Sequence, residues 1–141
     1  MLLACLLALA AASARADVVV VVGAGSPIAA LSADDIARIF LGKTETTSDG
    51  GRVVPVDAPE GTAVREAFYR QLTGKTPAQV RAYWARLIFT GSGRPPRQLD
   101  TTALAKLLDD NPRAIGYVDR AAVPPGARIV YSPPPPPPSP P

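Results

Sequence analysis

Five consecutive valines, Val18–Val22, are followed by the sequence Gly23-Ala24-Gly25. A run of β-branched residues with no polar alternation is typical of a strand that is buried on both faces, and the glycines end it. Strands of this kind lie in sheets that carry helices on each side. This stretch by itself therefore indicates an α/β fold.

The residues that follow supply the helices and the other strands of such a sheet. Short apolar segments predict three further strands, over residues 52–56, 114–118 and 127–131. Apolar residues at helical spacing predict four helices, over residues 33–41, 61–72, 76–88 and 102–109. The resulting order, β-α-β-α-α-α-β-β, predicts a layered α/β domain.

The third of these helices has the clearest start. Thr76 is predicted to cap it, Pro77 occupies the first helical position, and Gln79 completes a capping box. The apolar residues that then recur at helical spacing are predicted to lie in the core: Val80, Tyr83, Trp84, Leu87 and Ile88.

Both ends of the chain differ in composition from the middle. Residues 1–16 contain an apolar run and end in Ala14-Arg15-Ala16, which matches the pattern of signal-peptidase sites. We expect a signal peptide over residues 1–16 and an extracytoplasmic location; a buried N-terminal helix is the alternative. Eight of the 17 prolines lie in the last nine positions, so a polyproline II tail is predicted over residues 132–141. The α/β domain itself is expected to span residues 17–131.

The composition excludes several classes of site. The 141 residues include no histidine, and the single cysteine is Cys5. Ser-His-Asp or Cys-His catalysis, histidine metal ligands and a thiolate zinc site are therefore excluded. The carboxylates form no convincing catalytic pair, so we expect a protein that is not an enzyme and has no cofactor. The net charge is +3 and the basic residues are spread along the chain, which gives little support to nucleic-acid binding.

One segment has the features of an anion site. In the sequence Asp57-Ala58-Pro59-Glu60-Gly61-Thr62 a predicted strand runs into a short turn, which leads directly into a helix. The free N–H groups of a helix start, beside a glycine and a hydroxyl, suit the binding of an anion. The alternative is that Thr62 only caps its own helix.

A second candidate follows the Trp84 helix. The glycines of Thr90-Gly91-Ser92-Gly93-Arg94 could turn N–H groups towards an anion, and Arg94 could add a pair of donors. The alternative is that Gly91 ends the helix and the rest is a solvated connection.

Five short motifs follow one another along the chain: Leu31-Ser32, residues 39–43 (IFLGK), residues 54–56 (VPV), residues 61–68 (GTAVREAF) and residues 114–118 (AIGYV). Together they resemble a known family, the phosphate-binding components of ABC uptake systems. The resemblance implies a single lobe of a type II periplasmic-binding-protein-like fold, with a mixed sheet flanked by helices. It also implies a non-catalytic solute-binding protein for phosphate or another small anion, with an ABC permease or a second copy of the chain as partner.

The resemblance carries the ligand-binding role over to Gly61 and Thr62, and Arg65 also matches. Two positions depart from the family: Glu60 replaces a serine, and Asp57 replaces an arginine. Carboxylates beside a phosphate oppose its binding, and the chain is long enough for one lobe only. An envelope interaction module, with the same fold and a decayed ligand site, is therefore the alternative function.

Overall fold

Strands and helices alternate along the part of the chain that this computed structural model describes, which comprises residues 16–134, 138 and 140. The strands are β1 (Val18–Val22), β2 (Val54–Asp57), β3 (Arg97–Gln98), β4 (Ala114–Asp119) and β5 (Arg128–Tyr131). The helices are α1 (Ala33–Phe40), α2 (Ala63–Thr73), α3 (Pro77–Phe89) and α4 (Thr101–Asp110), with a short 3-10 turn over Arg120–Ala122. Of the predicted signal peptide, residues 1–15 lie outside the described residues, as do residues 135–137, 139 and 141 of the predicted tail.

The strands form one mixed sheet in the order β3-β2-β4-β1-β5. β1 runs antiparallel to both of its neighbours, while β2 is parallel to β3 and β4. All strands except β1 therefore point the same way, and their carboxyl ends lie along one edge of the sheet. Two helices, α2 and α4, begin shortly after strands that end at this edge.

The valine run is buried on both faces, as its sequence predicts. Val18, Val20 and Val22 pack in the larger core with α1, α2 and α3, whereas Val19 and Val21 pack on the other side against α4. The predicted α/β architecture, a mixed sheet flanked by helices, is confirmed.

Three aromatic rings anchor α2 to the sheet. The rings of Phe68 on α2 and Tyr117 on β4 stack with centroids 3.8 Å apart, and Phe40 on α1 meets Phe68 edge-on at 4.8 Å. These contacts hold α2 against the middle of the sheet. They therefore also fix where its N-terminus lies relative to the end of β2.

The helix starts predicted from the sequence are present in the structure. Ser32 caps α1 in a capping box with Asp35, and Thr76 caps α3 in one with Gln79. Among the described residues, no helix has the length and apolar character needed to cross a bilayer.

One local prediction was wrong, and one short strand was not predicted. Ile88, predicted to lie in the core, is 55% exposed, because the last turn of α3 extends past the elements on which the helix packs. The two-residue strand β3 was not predicted from the sequence. Its residues pair in parallel with Val56 and Asp57 of β2, an interaction between distant parts of the chain that no local pattern reveals.

Candidate functional site

The turn between β2 and α2 leaves the start of the helix without a side-chain cap. Gly61 has a φ of +85°, a left-handed conformation that glycine adopts at no steric cost. Thr62 occupies the N-cap position, but its side chain accepts no capping hydrogen bond. Its hydroxyl instead donates to the carbonyl oxygen of Pro59, at 2.7 Å. Thr62 therefore occupies the cap position without a side-chain capping bond, and among the described residues no side chain accepts from the first N–H groups of α2.

Beneath this turn lies a buried polar group that we name the Asp57 cluster: Asp57, Arg65, Tyr69 and Tyr117. The Asp57 side chain is 1% exposed, and its Oδ2 lies 3.1 Å from Nη1 of Arg65. The Tyr69 hydroxyl donates to Oδ2 at 2.7 Å, and the Tyr117 hydroxyl donates to Oδ1. The carboxylate is thus bound by one cation and two hydroxyl donors, which come from α2 and β4.

The same cluster holds the backbone of the turn. The Ala58 N–H donates to the Tyr117 oxygen at 3.0 Å, and Nη1 of Arg65 donates to the Ala58 carbonyl at 3.2 Å. Both polar groups of one turn residue are therefore satisfied by side chains of the cluster. This explains why the chain leaves β2 in a defined direction.

Burial dominates the ionisation of the cluster. Loss of solvation raises the pKa of Asp57, and the hydrogen bond from Tyr117 and the charge of Arg65 act against this rise. The pKa values of Tyr69 and Tyr117 are both raised well above the usual range, first by burial and then by the charge of Asp57. Both tyrosines therefore remain neutral donors throughout the ordinary pH range.

We expect the fold to lose stability steeply above pH 10. In the unfolded chain the two tyrosines ionise near a pKa of about 10, while in the folded protein their raised pKa values keep them protonated. The stability that they contribute is present below pH 10 and is lost as the pH rises, by about 1.4 kcal/mol per pH unit for each tyrosine. Urea unfolding at a series of alkaline pH values measures this slope.

A single substitution checks the origin of that slope. Tyr69→Phe should halve it, whereas Tyr131→Phe, at a residue outside the Asp57 cluster, should leave it unchanged. An unaltered slope in Tyr69→Phe would show that the cluster does not control the alkaline transition.

Glu60 differs from Asp57 in its surroundings. Its side chain is about half exposed and forms an ion pair with Arg81 of α3, with 3.3 Å between Oε1 and Nη1. The two carboxylates that the sequence places near the turn are therefore both paired with arginines. Asp57 in particular faces the interior and does not present a bare charge to the solvent.

Two cavities lie on either side of the turn. One, of about 280 Å³, is lined by Gly61, Arg65, Tyr69 and Arg81, among others, and we name it the arginine cavity. The other, of about 150 Å³, is lined by residues that include Thr62, Asp100 and Tyr117, and we name it the strand-end cavity. The three residues predicted to bind the ligand are thus divided: Gly61 and Arg65 line the first cavity, and Thr62 lines the second.

The second candidate, the loop after α3, uses its backbone donors internally. The N–H of Gly91 donates to the Ile88 carbonyl and that of Ser92 to the Leu87 carbonyl. Gly91 itself has a φ of +70° directly after the cap residue Thr90. These observations favour the alternative that the loop ends the helix.

Comparison with solved structures finds the same arrangement of elements in three other proteins. An ABC-type phosphate transport receptor from Vibrio cholerae superposes with a TM-score of 0.61 at 14% identity. A putative phosphate ABC transporter substrate-binding protein with bound phosphate, from Clostridium perfringens, superposes with 0.61 at 18% identity. A possible phosphate binding protein from Planctomyces limnophilus DSM 3776 superposes with 0.55 at 16% identity.

The chain shares the fold of one part of these three proteins. The comparisons cover 81%, 81% and 74% of this chain but 45%, 44% and 36% of the three solved chains. The chain therefore spans less than half the length of the binding proteins whose fold it shares. No protein-family model matches the sequence, and no curated protein matches it either.

Three residues of the site were not predicted from the sequence. Asp100 caps α4 by accepting a hydrogen bond from the Ala103 N–H at 2.8 Å, and the sequence Asp-Thr-Thr before an apolar run could have indicated that cap. Tyr69 and Tyr117 join Asp57 from 12 and 60 residues away. No spacing rule within the sequence brings these tyrosines to the carboxylate.

Proposed function

We propose that this chain is an extracytoplasmic, non-catalytic solute-binding protein that binds phosphate or another small anion at the N-terminus of α2. The observation that carries the proposal is the absence of a side-chain cap on this helix, since the Thr62 hydroxyl bonds to Pro59 instead. In the part of the chain that the structure describes, no side chain accepts from the first N–H groups of α2, so they are available to a ligand. They lie at the edge of the sheet where the parallel strands end.

The electrostatics of the turn support an anion. The N-terminus of a helix has a partial positive charge, and its N–H groups point towards an incoming ligand. The charge of Asp57 is balanced by Arg65 at 3.1 Å, so it opposes an anion less than the sequence suggests. Arg65 and Arg81 line the neighbouring arginine cavity together with Glu60 and Glu66, so the support for an anion comes from the helix start and not from this cavity. The likeness to a structure described with bound phosphate points the same way.

Isothermal titration calorimetry tests the proposal directly. The protein is titrated with phosphate, sulfate and a small carboxylate at low and moderate salt, and saturable binding of one of them is the expected result. If none of the three anions binds, the proposal of an anion-binding protein fails.

Thr62→Asp is expected to weaken anion binding without harming the fold. Aspartate is a preferred N-cap residue, so its carboxylate should occupy the free N–H groups of α2 and repel a second anion. We expect phosphate affinity to fall at least about tenfold, or 1.4 kcal/mol, while the thermal midpoint stays the same or rises.

The matched control is Ser32→Asp, which makes the same change of charge at the N-cap of α1. Ser32→Asp should bind phosphate as the unaltered protein does. Equal affinities in all three proteins would place the anion site somewhere other than the start of α2.

A second candidate function is an envelope interaction module on the same fold with a decayed ligand site. One observation favours it: the carboxylate of Asp100 already caps α4 and lines the strand-end cavity, where it would repel an anion. For this function, the titrations would show no binding and Thr62→Asp would only stabilise the protein. An ABC permease or a second copy of the chain is the proposed partner in either case.

A further inference from the structure

The last turn of α3 projects from the protein with its apolar side chains uncovered. Phe89 is 93% exposed and Ile88 is 55% exposed, and we name these two residues the α3 tip. The exposed face of the helix continues the apolar character through Ala78, Ala82 and Ala85. An aromatic ring with almost no contact to its own chain gains free energy only when something else covers it.

The segment of chain that carries the α3 tip is basic. The basic residues are spread along the whole sequence, but the acidic ones are not, and none occurs between Glu66 and Asp100. The basic residues within this interval are Arg70, Lys75, Arg81, Arg86, Arg94 and Arg97. Within the described residues, Arg81 pairs with Glu60, whereas the side chains of Arg70, Arg86, Arg94 and Arg97 form neither an ion pair nor a hydrogen bond.

We propose that the α3 tip, together with Arg86 on the same helix and Arg94 in the loop that follows, binds the surface of an anionic lipid bilayer, with the Phe89 ring inserted among the lipids. A second copy of the chain is a poor occupant, because two such surfaces would bring like charges together. Arg86 lies on α3 and Arg94 in the loop after it, and within the described residues neither side chain has an ion pair or a hydrogen bond that fixes it. A diffuse negative surface satisfies such charges without the fixed partners that an acidic protein would have to supply.

Vesicle cosedimentation tests this surface with the full chain. The protein should bind vesicles of phosphatidylcholine that contain about one third phosphatidylglycerol, and should bind much less to pure phosphatidylcholine. Binding should be lost at about 1 M salt, where the Debye length is about 3 Å. Residues 1–16, if still attached, contribute equally in all variants that are compared.

A charge-matched pair of variants locates the contact. Arg86→Glu should weaken binding to the anionic vesicles at least about tenfold, because each basic residue near the surface contributes about fivefold and the new charge is repelled. Lys106→Glu changes the net charge equally but lies on α4, on the opposite face of the sheet, and should have little effect. Equal losses in the two variants would overturn the proposal.

The role of Phe89 has a spectroscopic readout of its own. Phe89→Ser should reduce vesicle binding about tenfold or more, as the loss of a buried phenyl group implies. In Phe89→Trp the introduced indole should emit at longer wavelength in buffer and shift to the blue on anionic vesicles, while Trp84, being buried, stays unchanged. No shift on anionic vesicles, or a Phe89-dependent dimer or protein complex in place of vesicle binding, would overturn it.

Discussion

Arg65→Met is expected to lower the free energy of unfolding by about 3–5 kcal/mol. Arg65 is the cation of the Asp57 cluster, and both side chains are almost completely buried. Its removal leaves the Asp57 carboxylate in the interior with two hydroxyl donors and no counter-charge. It also removes the hydrogen bond that holds the Ala58 carbonyl. Urea unfolding at neutral pH measures the loss.

The chain contains a natural control for this substitution. Arg81 pairs with Glu60 at 3.3 Å, almost the distance of 3.1 Å between Arg65 and Asp57, but both of its partners are more than half exposed. Arg81→Met should therefore cost less than about 1 kcal/mol, because water and salt already screen this pair. Similar losses in the two variants would show that burial does not determine the strength of the inner pair.

The pH dependence of Arg65→Met follows from the same geometry. Burial already raises the pKa of Asp57, and loss of the Arg65 charge should raise it further. A carboxyl group whose pKa is raised in the folded state stabilises the fold when protonated, and this contribution is lost as the pH rises through that pKa. The variant should thus regain part of its lost stability on mild acidification. A deficit that grows on acidification would contradict this account.

The same cluster changes how Asp57 should be interpreted. Its carboxylate is turned inwards, so Asp57→Arg, which would restore the residue of the phosphate-binding family, would place a second guanidinium beside Arg65 in a buried space. That exchange would unfold the turn and would not improve an anion site. Thr62→Asp is the sharper test, because it acts at the exposed start of α2.

Trp84→Ala is expected to destabilise the protein by about 3–5 kcal/mol. Trp84, on α3, is 4% exposed and packs in the larger core. Its ring meets Tyr83 edge-on at a centroid distance of 5.1 Å, and its far edge lies close to Gly42 at the end of α1. The truncation removes the contact that joins these helices and leaves a cavity. Thermal or urea unfolding measures the cost.

Trp84→Phe is the matched control. The indole N–H lies near Tyr69 but makes no well-formed hydrogen bond within the described residues. Phenylalanine keeps most of the buried apolar area and removes this unsatisfied donor, so the variant should cost less than about 1.5 kcal/mol. If Trp84→Ala itself lowered the free energy of unfolding by less than about 1 kcal/mol, the conclusion that Trp84 packs α3 onto the core would be contradicted.

The sequence by itself determined the features that depend on neighbouring residues. A valine run without polar alternation predicts a strand buried on both faces, and β1 is such a strand. Thr76 and Gln79 predict the start of α3 because the two residues bond to each other's backbone three positions apart. Caps and helical faces arise from contacts within one turn of the chain, so their signals lie side by side in the sequence.

The tertiary structure decided what those elements do together. Tyr117 reaches Asp57 only because β4 lies beside β2 in the sheet. Arg65 points into the interior, where it pairs with the buried carboxylate of Asp57. Ile88 has the helical spacing of a core residue, but it lies in the last turn of α3, which extends past the elements on which the helix packs. Such outcomes depend on strand order, on register and on where a helix ends over its neighbours. These are properties of contacts between distant residues, and no local pattern in the sequence records them.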